Sequence, residues 1–196
     1  MSLKKYSADY LEDCITVLGS AFVDNPLHCS AFGTGRMDQN RLFFRLGIRH
    51  MFVGESFVAL DGDKVCGYVH FNSWPYCLPV PEEIPSVIAT RLTPLGEAIP
   101  QVIRWFTRWC HLDPAESHVH LGPIGVAPEM QGRGIGTALM QRYVDYLEQK
   151  RTAGYLETDR PENVKFYKRF GFVVRQEESL IGAPIWYMWR PFSDRG

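Results

Sequence analysis

The residues best suited to chemistry form a glycine-rich turn between Gln131 and Gly136. An apolar run that ends at Pro128 precedes the turn, and an amphipathic run from Ile135 to about Arg151 follows it. This order predicts a strand, a turn and a helix, so that backbone N–H groups of the turn lie at the positive end of the helix. Glycines let a ligand approach the backbone closely, since they carry no Cβ. The stretch therefore predicts an anion site.

Two common phosphate-binding motifs do not fit this turn. A nucleotide P-loop has Lys and then Ser or Thr directly after its last glycine, whereas Thr137 and Ala138 follow here. The dinucleotide-binding fingerprint needs a third glycine three positions after the second, and that position holds Thr137 or Leu139, depending on where the count begins. Both motifs are therefore excluded.

Side chains able to move protons stand on either side of the turn. Tyr167 follows Asn163 by four residues, which places both on one face of a short predicted helix. Glu157 belongs to the strand before that helix, and His118 and His120 share one face of the strand before the turn. Histidine titrates near neutral pH, which suits a proton relay, although a strand histidine is more often simply packed. Each of these side chains is chemically able to take part in proton transfer.

Composition and charge restrict the class of protein. The chain has 196 residues, enough for one domain with a substantial core. Its net charge of −1 gives no reason to expect a nucleic acid or an anionic membrane as partner. Five scattered cysteines without a Cys-x-x-Cys pair suggest neither a disulfide framework nor a zinc knuckle. With no apolar run of transmembrane or signal-peptide type, we predict a reduced, cytoplasmic protein that uses no metal.

The elements that must position these residues follow a mixed α/β order. Apolar periodicity predicts helices over 7–23, 38–53, 135–151 and 161–170. Strands are expected at 3–6, 57–60 and 65–72, in the run that ends at Pro128, and at 154–158, 172–176 and 185–189. Asp24-Asn25-Pro26 should end the first helix, and 27–37 should be irregular. The whole chain, 1–196, is predicted to be a single three-layer α/β domain.

Residues 74–116 form an insertion between two predicted strands. It holds six prolines between 75 and 100, and predicted helices around 84–92 and 101–111. Long irregular connections often serve as lids or substrate loops, but a packed surface excursion fits the same pattern. The sequence leaves these two interpretations open.

The strand before the turn should be broken. Pro123 donates no ladder hydrogen bond, so a ladder through this point must be interrupted. Gly125 permits a bulge nearby.

Two segments together resemble a known family. The first is Val126-x-Pro128 followed by Gln131-x-x-Gly134-x-Gly136, and the second joins Gly154-Tyr-Leu-Glu-Thr-Asp-Arg-Pro-Glu-Asn163 to Phe166-Tyr167-x-x-Phe170-Gly171-Phe172. In this order and spacing they resemble the GNAT superfamily of N-acetyltransferases, closest to its puromycin N-acetyltransferase-like subgroup. The resemblance implies a GNAT-like fold, a mixed, mostly antiparallel central sheet that is splayed between its fourth and fifth strands and has helices on both faces.

The resemblance also implies acetyl-CoA as cosubstrate. The diphosphate would meet backbone amides of the glycine turn, and pantetheine would pair with the strand before it. The Val126 N–H would face the thioester oxygen as an oxyanion hole, and Asn163 would bind the cofactor arm. The cofactor-binding residues implied in this way are Ile124, Gly125, Val126, Gln131, Gly132, Arg133, Gly134, Ile135, Gly136, Thr137, Asn163 and Tyr167.

Catalytic roles follow from the same resemblance. Tyr167 would be the general acid that protonates the departing CoA thiolate. The amine must be neutral to attack a thioester, yet alkyl amines have a pKa near ~10, so a base is needed. Glu157 is the first candidate for that base and His120 the second, acting directly or through a water.

These assignments predict direct transfer of acetyl to the primary amine of a small molecule. No cysteine lies in the cofactor motif to carry the group, which favours attack within a ternary complex. Two alternatives stay open, a catalytically silent CoA-binding regulatory module and a protein or peptide N-acetyltransferase. The acceptor must be set by 24–54 and 74–116, whose aromatic side chains suggest a hydrophobic amine. We expect a monomer or homodimer with neither nucleic acid nor membrane as partner.

Overall fold

A single seven-stranded sheet organises the protein, in a computed structural model that describes residues 1–78 and 83–193. The strand order is β1-β2-β3-β4-β5-β7-β6. The strands are β1 (Ser2–Lys5), β2 (Glu55–Asp61), β3 (Lys64–Ser73), β4 (His118–Val126), β5 (Ala153–Thr158), β6 (Val173–Leu180) and β7 (Ala183–Arg190). Neighbouring strands are antiparallel except β4 and β5, which are parallel.

Helices cover both faces of this sheet. They are α1 (Leu11–Ala21), α2 (Pro26–Phe32), α3 (Met37–His50), α4 (Ile84–Arg91), α5 (Ile99–Leu112), α6 (Ile135–Lys150) and α7 (Pro161–Lys168). Side chains of β2 alternate between two cores, because Val58 and Leu60 join the core of α1, α2, α3 and α5, whereas Phe57 and Ala59 join that of α6 and α7. The predicted mixed sheet with helices on both faces is confirmed. Among the described helices, none has the length and apolar character to cross a bilayer.

Helix α2 overturns one prediction. Residues 27–37 are not irregular throughout, because a helix begins at Pro26. The side-chain oxygen of Asn25 caps it by accepting a hydrogen bond from the His28 N–H (3.1 Å). The Asn-Pro pair that ends one helix can also begin the next, since Asn is a good N-cap and Pro a good first helical residue. This helix brings Asn25, Leu27 and His28 to the cavity described below.

Strands β4 and β5 separate soon after they pair. Their ladder runs from His118 opposite Ala153 to His120 opposite Tyr155. Past that point, β4 pairs with β3 alone within the described chain. The predicted splay between the fourth and fifth strands is confirmed, and it leaves the backbone of β4 open on one side.

A bulge in β4 lies just past the end of this ladder. Gly122 and Pro123 together oppose the single residue His70 of β3, as expected for a proline that cannot donate to a ladder. The interruption predicted at Pro123 is therefore present, but the prediction that Gly125 permits the bulge is wrong. Gly125 pairs in register with β3. A Cβ at Gly125 would lie 2.9 Å from the Leu18 side chain, so glycine here lets α1 approach the sheet.

Helix α5 of the insertion belongs to the core. Val102, Trp105 and Phe106 are buried in the same core as α2 and α3. The ring of Trp105 stacks on that of Phe43, with centroids 5.5 Å apart. Within the insertion, residues 79–82, with the predicted irregular prolines 79 and 81, lie outside the described residues.

Candidate active site

A cavity of about 350 Å³ lies where β4 and β5 separate. Strand β4 contributes His120 and Ile124, β5 contributes Glu157, and α7 contributes Asn163 and Tyr167. Much of the rest of the wall comes from the helical first third of the chain, from β3 and the segment that follows it, and from α4 and α5. The structure thus brings the three candidate catalytic residues to one cavity, although they are far apart in the sequence.

His120 and Glu157 form a buried ion pair on the cavity wall. Nε2 of His120 lies 2.7 Å from Oε2 of Glu157, and the two side chains are 5% and 1% exposed. Burial lowers the pKa of His120, but the carboxylates of Glu157 and Asp113 raise it by more, to about 10. The other carboxylate oxygen of Glu157, Oε1, is buried without a hydrogen-bond partner in residues 1–78 and 83–193. A buried acceptor that lines a cavity suits a ligand that brings a donor.

Asp113, which was not predicted as a site residue, lies beside His120 on the side away from Glu157. Its Oδ1 is 3.2 Å from Nδ1 of His120 and 3.3 Å from Nε2 of His118. Burial raises the pKa of Asp113, but the two histidines lower it by more, to about 2. Asp113-Pro114 follows α5 directly, so in the sequence it is indistinguishable from ordinary helix-ending residues.

Tyr167 and Asn163 both face the cavity, as their four-residue spacing on one helix predicts. The Tyr167 side chain is buried, and its ring lies edge-on to those of Phe166 and Phe172. Burial raises the pKa of the Tyr167 phenol, and the charge of Asp159 adds to the rise. The phenol is therefore protonated at neutral pH.

Asp159 joins the end of β5 to the start of α2. Its carboxylate accepts hydrogen bonds from Nδ2 of Asn25 and from the backbone N–H of Leu27, both at 2.8 Å. Burial raises the pKa of this carboxyl. Asn25 and Leu27 were not predicted as site residues, because their place on the cavity depends on a helix that the sequence did not predict.

The glycine turn is open to ligands. Gly132 and Gly134 have φ of 74° and 80°, a left-handed conformation that favours glycine. Apart from chain neighbours, no described atom lies within 4 Å of where a Cβ would stand on either residue. The Ala138 N–H donates to Gly134 O (3.0 Å) as α6 begins, so the N–H groups of residues 135–137 have no acceptor within the helix. These donors at a helix start suit an anion.

Val126 connects this turn to the open edge of β4. Its carbonyl oxygen accepts a hydrogen bond from Nε2 of Gln131 (3.2 Å). The next backbone N–H, of Ala127, donates to Cys66 O on β3 (3.0 Å). Because successive backbone groups of a strand point to opposite sides, the Val126 N–H points away from β3, to the side that β5 has left.

Aromatic rings form another wall of the cavity. They are Phe22, His28, Phe43, Phe44, Trp105, Phe106 and Trp109. Burial lowers the pKa of His28 to about 3, although its hydrogen bond to Asn40 (2.6 Å) opposes this, so the ring is neutral. The indole N–H groups of Trp105 and Trp109 are buried without a hydrogen-bond partner in the described part of the chain. The wall is apolar with two free donors, and Trp105 both fills the core and faces the cavity.

Comparisons with known proteins agree with this architecture. The profile of the Acetyltransferase (GNAT) family matches residues 26–172. The fold is similar to that of a histone acetyltransferase HPA2 and related acetyltransferase from Corynebacterium glutamicum, with 18% identity, 98% of this chain and 96% of that chain covered, and a TM-score of 0.73. It is similar to arylalkylamine N-acetyltransferase 2 from Aedes aegypti, with 12% identity, 98% and 99% covered, and a TM-score of 0.69. A GNAT family acetyltransferase from Brucella melitensis, in complex with acetyl-CoA, matches with 16% identity, 98% and 88% covered, and a TM-score of 0.55.

The structural likenesses, all at low identity, show the fold, and the profile match shows the family. The profile covers most of the chain, including the splayed strands and the glycine turn at the start of α6. This chain therefore belongs to the GNAT family of acetyltransferases and is a transferase.

Proposed function

We propose that this protein transfers the acetyl group of acetyl-CoA directly to the primary amine of a small hydrophobic molecule. The observation that carries the proposal is the unpaired carboxylate oxygen of Glu157, buried on an aromatic-walled cavity where β4 and β5 separate. An ammonium group could donate to this oxygen while the rest of the molecule lies against the rings. The Brucella relative in complex with acetyl-CoA supports the choice of cofactor. The sequence likeness to the puromycin-type subgroup supports a small-molecule acceptor without naming it.

Acetyl-CoA would lie along the open edge of β4. Its diphosphate would accept hydrogen bonds from the amides of the glycine turn, including those of residues 135–137, with the exposed Arg133 adding a charge contact. The pantetheine amides would pair with Ile124–Val126, and Asn163 would hold the cofactor arm. The Val126 N–H, which points to the open side, would donate to the thioester oxygen as negative charge develops there.

Proton transfers would then involve Glu157 and Tyr167. Glu157 Oε1 would take a proton from the ammonium group, directly or through a water, and the free amine would attack the thioester carbon. As the C–S bond breaks, the Tyr167 phenol would give its proton to the thiolate. The attacking nitrogen, positively charged once it has bonded to carbon, would lose its second proton to the Tyr167 phenolate, directly or through a water, which restores the phenol. Glu157 would release the first proton to solvent. Nε2 of His120 is hydrogen-bonded to Glu157 and its Nδ1 faces Asp113, so neither ring nitrogen is available to accept a proton from the amine. This geometry supports Glu157 as the base and His120 as the residue that positions it.

A thermal-shift series with acetyl-CoA and CoA, followed by thiol release with a panel of amines, tests the proposal. We expect both nucleotides to raise Tm, and we expect turnover on small hydrophobic primary amines. Binding without turnover on any amine would instead indicate a regulatory CoA-binding module. Turnover confined to peptide N-termini or lysines would indicate a protein acetyltransferase. The aromatic wall of the cavity favours the small-molecule outcome.

The glycine turn gives a prediction about cofactor affinity. Gly134→Val should raise the KM for acetyl-CoA roughly tenfold or more, because it strains a left-handed position and places a side chain among the amides that would bind the diphosphate. The kcat at saturating acetyl-CoA should change little. Gly35→Val is the matched control, since Gly35 also has a positive φ (72°) and open space but lies far along the chain from the turn. Equal KM values for the two variants would contradict a diphosphate site at the turn.

The aromatic wall gives a prediction about acceptor choice. Trp105→Leu should lower kcat/KM for an arylalkylamine such as 2-phenylethylamine about 5- to 30-fold more than for ethylamine, because the lost ring area matters only to an acceptor that touches it. The ratio of the two values cancels any loss of folded protein. Trp186→Leu, on the opposite core with α6 and α7, should leave the ratio unchanged. An unchanged ratio in Trp105→Leu would show that the acceptor does not reach this wall.

A further inference from the structure

Four metal-ligating side chains converge behind the His120–Glu157 pair. They are Cys77, Asp113, His118 and His120, and one ligand atom from each lies within 4.8 Å of all the others. Cys77, His118 and His120 are buried, and the Asp113 side chain is only 16% exposed. From this geometry we propose that the protein holds one tetrahedral divalent cation of the zinc type, bound by Cys77 Sγ, Asp113 Oδ1, His118 Nε2 and His120 Nδ1. The proposal is independent of the proposed acetyl transfer.

Three of the six distances between the ligand atoms match the edges of a zinc tetrahedron, and the other three are within 4.8 Å. Zinc bonds of ~2.0–2.3 Å to nitrogen, oxygen and sulfur place the ligand atoms of a tetrahedral site about 3.3–3.6 Å from one another. Here Asp113 Oδ1 lies 3.2 Å from His120 Nδ1 and 3.3 Å from His118 Nε2. The Cys77 Sγ lies 3.5 Å from His118 Nε2. An ion could therefore enter with small side-chain movements.

The second nitrogen of each histidine is already engaged, as in protein metal sites. His118 Nδ1 lies 2.8 Å from the backbone oxygen of Glu116, and His120 Nε2 lies 2.7 Å from the Glu157 carboxylate. Both partners are acceptors, so these nitrogens carry the hydrogens. When such a ring is neutral, the lone pairs of His118 Nε2 and His120 Nδ1 point at the centre of the cluster. A hydrogen bond from the second ring nitrogen is also what orients the histidines of protein metal sites.

The centre of the cluster also needs a positive charge. Asp113 Oδ1 and His120 Nδ1 are buried, and neither makes an aligned hydrogen bond among the described residues. Without an ion, the proton of the His120 ring faces Asp113. A divalent cation would take the place of that proton, because a carboxylate oxygen and a deprotonated imidazole nitrogen both offer it lone pairs. A thiolate and a carboxylate would together neutralise a divalent ion, and the thiol proton of Cys77 would leave to solvent on binding. Thiolate, imidazole and carboxylate are all zinc ligands, and four protein ligands leave no open position, as in a closed structural zinc site.

The position of the cluster gives the ion a role. Cys77 follows β3 and Asp113 follows α5, so they lie near the two ends of the insertion, while both histidines belong to β4. One ion would fix both ends of the insertion to the strand that carries the cavity wall. The sequence did not predict a metal because the ligands are distributed between positions 77 and 120 without a short repeated spacing.

Titration of the chelator-treated full chain with Co²⁺ tests this site. We expect saturation at one equivalent, with the strong visible bands of tetrahedral Co²⁺, a near-ultraviolet thiolate-to-cobalt transition, and displacement by one equivalent of Zn²⁺. Cys77→Ser should abolish the thiolate transition, and His118→Gln should raise the Kd for Co²⁺ by about 100-fold or more. Circular dichroism of each metal-free variant shows whether it folds.

Cys110→Ser is the control, since Cys110 is a half-buried thiol of α5 outside the four ligands. It should keep both the thiolate transition and the Kd. The proposal is overturned if folded wild-type protein shows no saturable tetrahedral spectrum, or if the thiolate transition survives in folded Cys77→Ser. None of these readouts depends on acetyl transfer, so failure of the metal site and failure of the proposed activity are distinguishable.

Discussion

Replacing Glu157 with Gln should lower the kcat of acetyl transfer by about 100- to 10,000-fold. Glutamine keeps the shape of the side chain and can still accept a hydrogen bond from His120, but it cannot take a proton from an ammonium group. Its amide would also put a donor or a neutral acceptor where Oε1 now lies unpaired on the cavity. The glycine turn is untouched, so the Kd for acetyl-CoA should stay within about twofold. Steady-state kinetics with a saturating amine, together with calorimetry of acetyl-CoA binding, measure the two quantities.

Two further variants sharpen this experiment. Glu178→Gln removes a carboxylate of β6 that accepts from Arg108 and from the Tyr187 hydroxyl, both at 2.6 Å, outside the cavity. It should lower Tm while keeping kcat within about twofold. His120→Asn should lower kcat less than Glu157→Gln does, because it removes a positioning contact and leaves the proton acceptor. If Glu157→Gln kept more than half of the normal kcat while His120→Asn lost it, the base would be His120.

The parts of the site that the sequence predicts are those built from adjacent residues. The glycine turn and the helix after it are encoded between Gln131 and Arg151, where local chemistry fixes both the turn conformation and the helix start. The same holds for Asn163 and Tyr167, whose four-residue spacing places them on one face of α7. The break at Pro123 follows from a missing N–H and needs no knowledge of neighbouring strands.

The parts that the sequence does not predict depend on contacts between distant segments. Asp113 reaches His120 only because α5 ends beside β4, and no residue pattern near Asp113 in the sequence indicates this contact. The start of α2 is ambiguous, because Asn25-Pro26 satisfies the rules for a helix end and for a helix start. Gly125 shows the reverse case. The sequence suggests a local role for it in a bulge, but glycine is needed there because Leu18 of α1 approaches the strand closely.

Replacing Tyr167 with Phe should lower kcat by about 100-fold, with the Kd for acetyl-CoA unchanged within about twofold. The phenol lines the same cavity as Asn163 and Glu157, and burial raises its pKa, so it is protonated throughout the neutral range. Without this donor, CoA must leave as a thiolate anion in a buried site of low dielectric constant. The free-energy cost of that charge slows cleavage of the C–S bond in the variant. Single-turnover measurement of thiol release isolates this step from product dissociation.

Tyr143→Phe is the matched control for this variant. Tyr143 is also a buried tyrosine of the core of α6 and α7, and its hydroxyl donates to the backbone oxygen of Val119 (2.6 Å). Unlike Tyr167, it is not one of the described residues that line the cavity. Its loss should cost stability, about 1–3 kcal/mol for an unsatisfied buried acceptor, and leave thiol release unchanged. Tyr167→Phe should show the opposite pattern, a small change in Tm and a large change in rate. If both variants lost rate only in proportion to their loss of folded protein, Tyr167 would be a core residue, and the thiolate would take its proton from solvent.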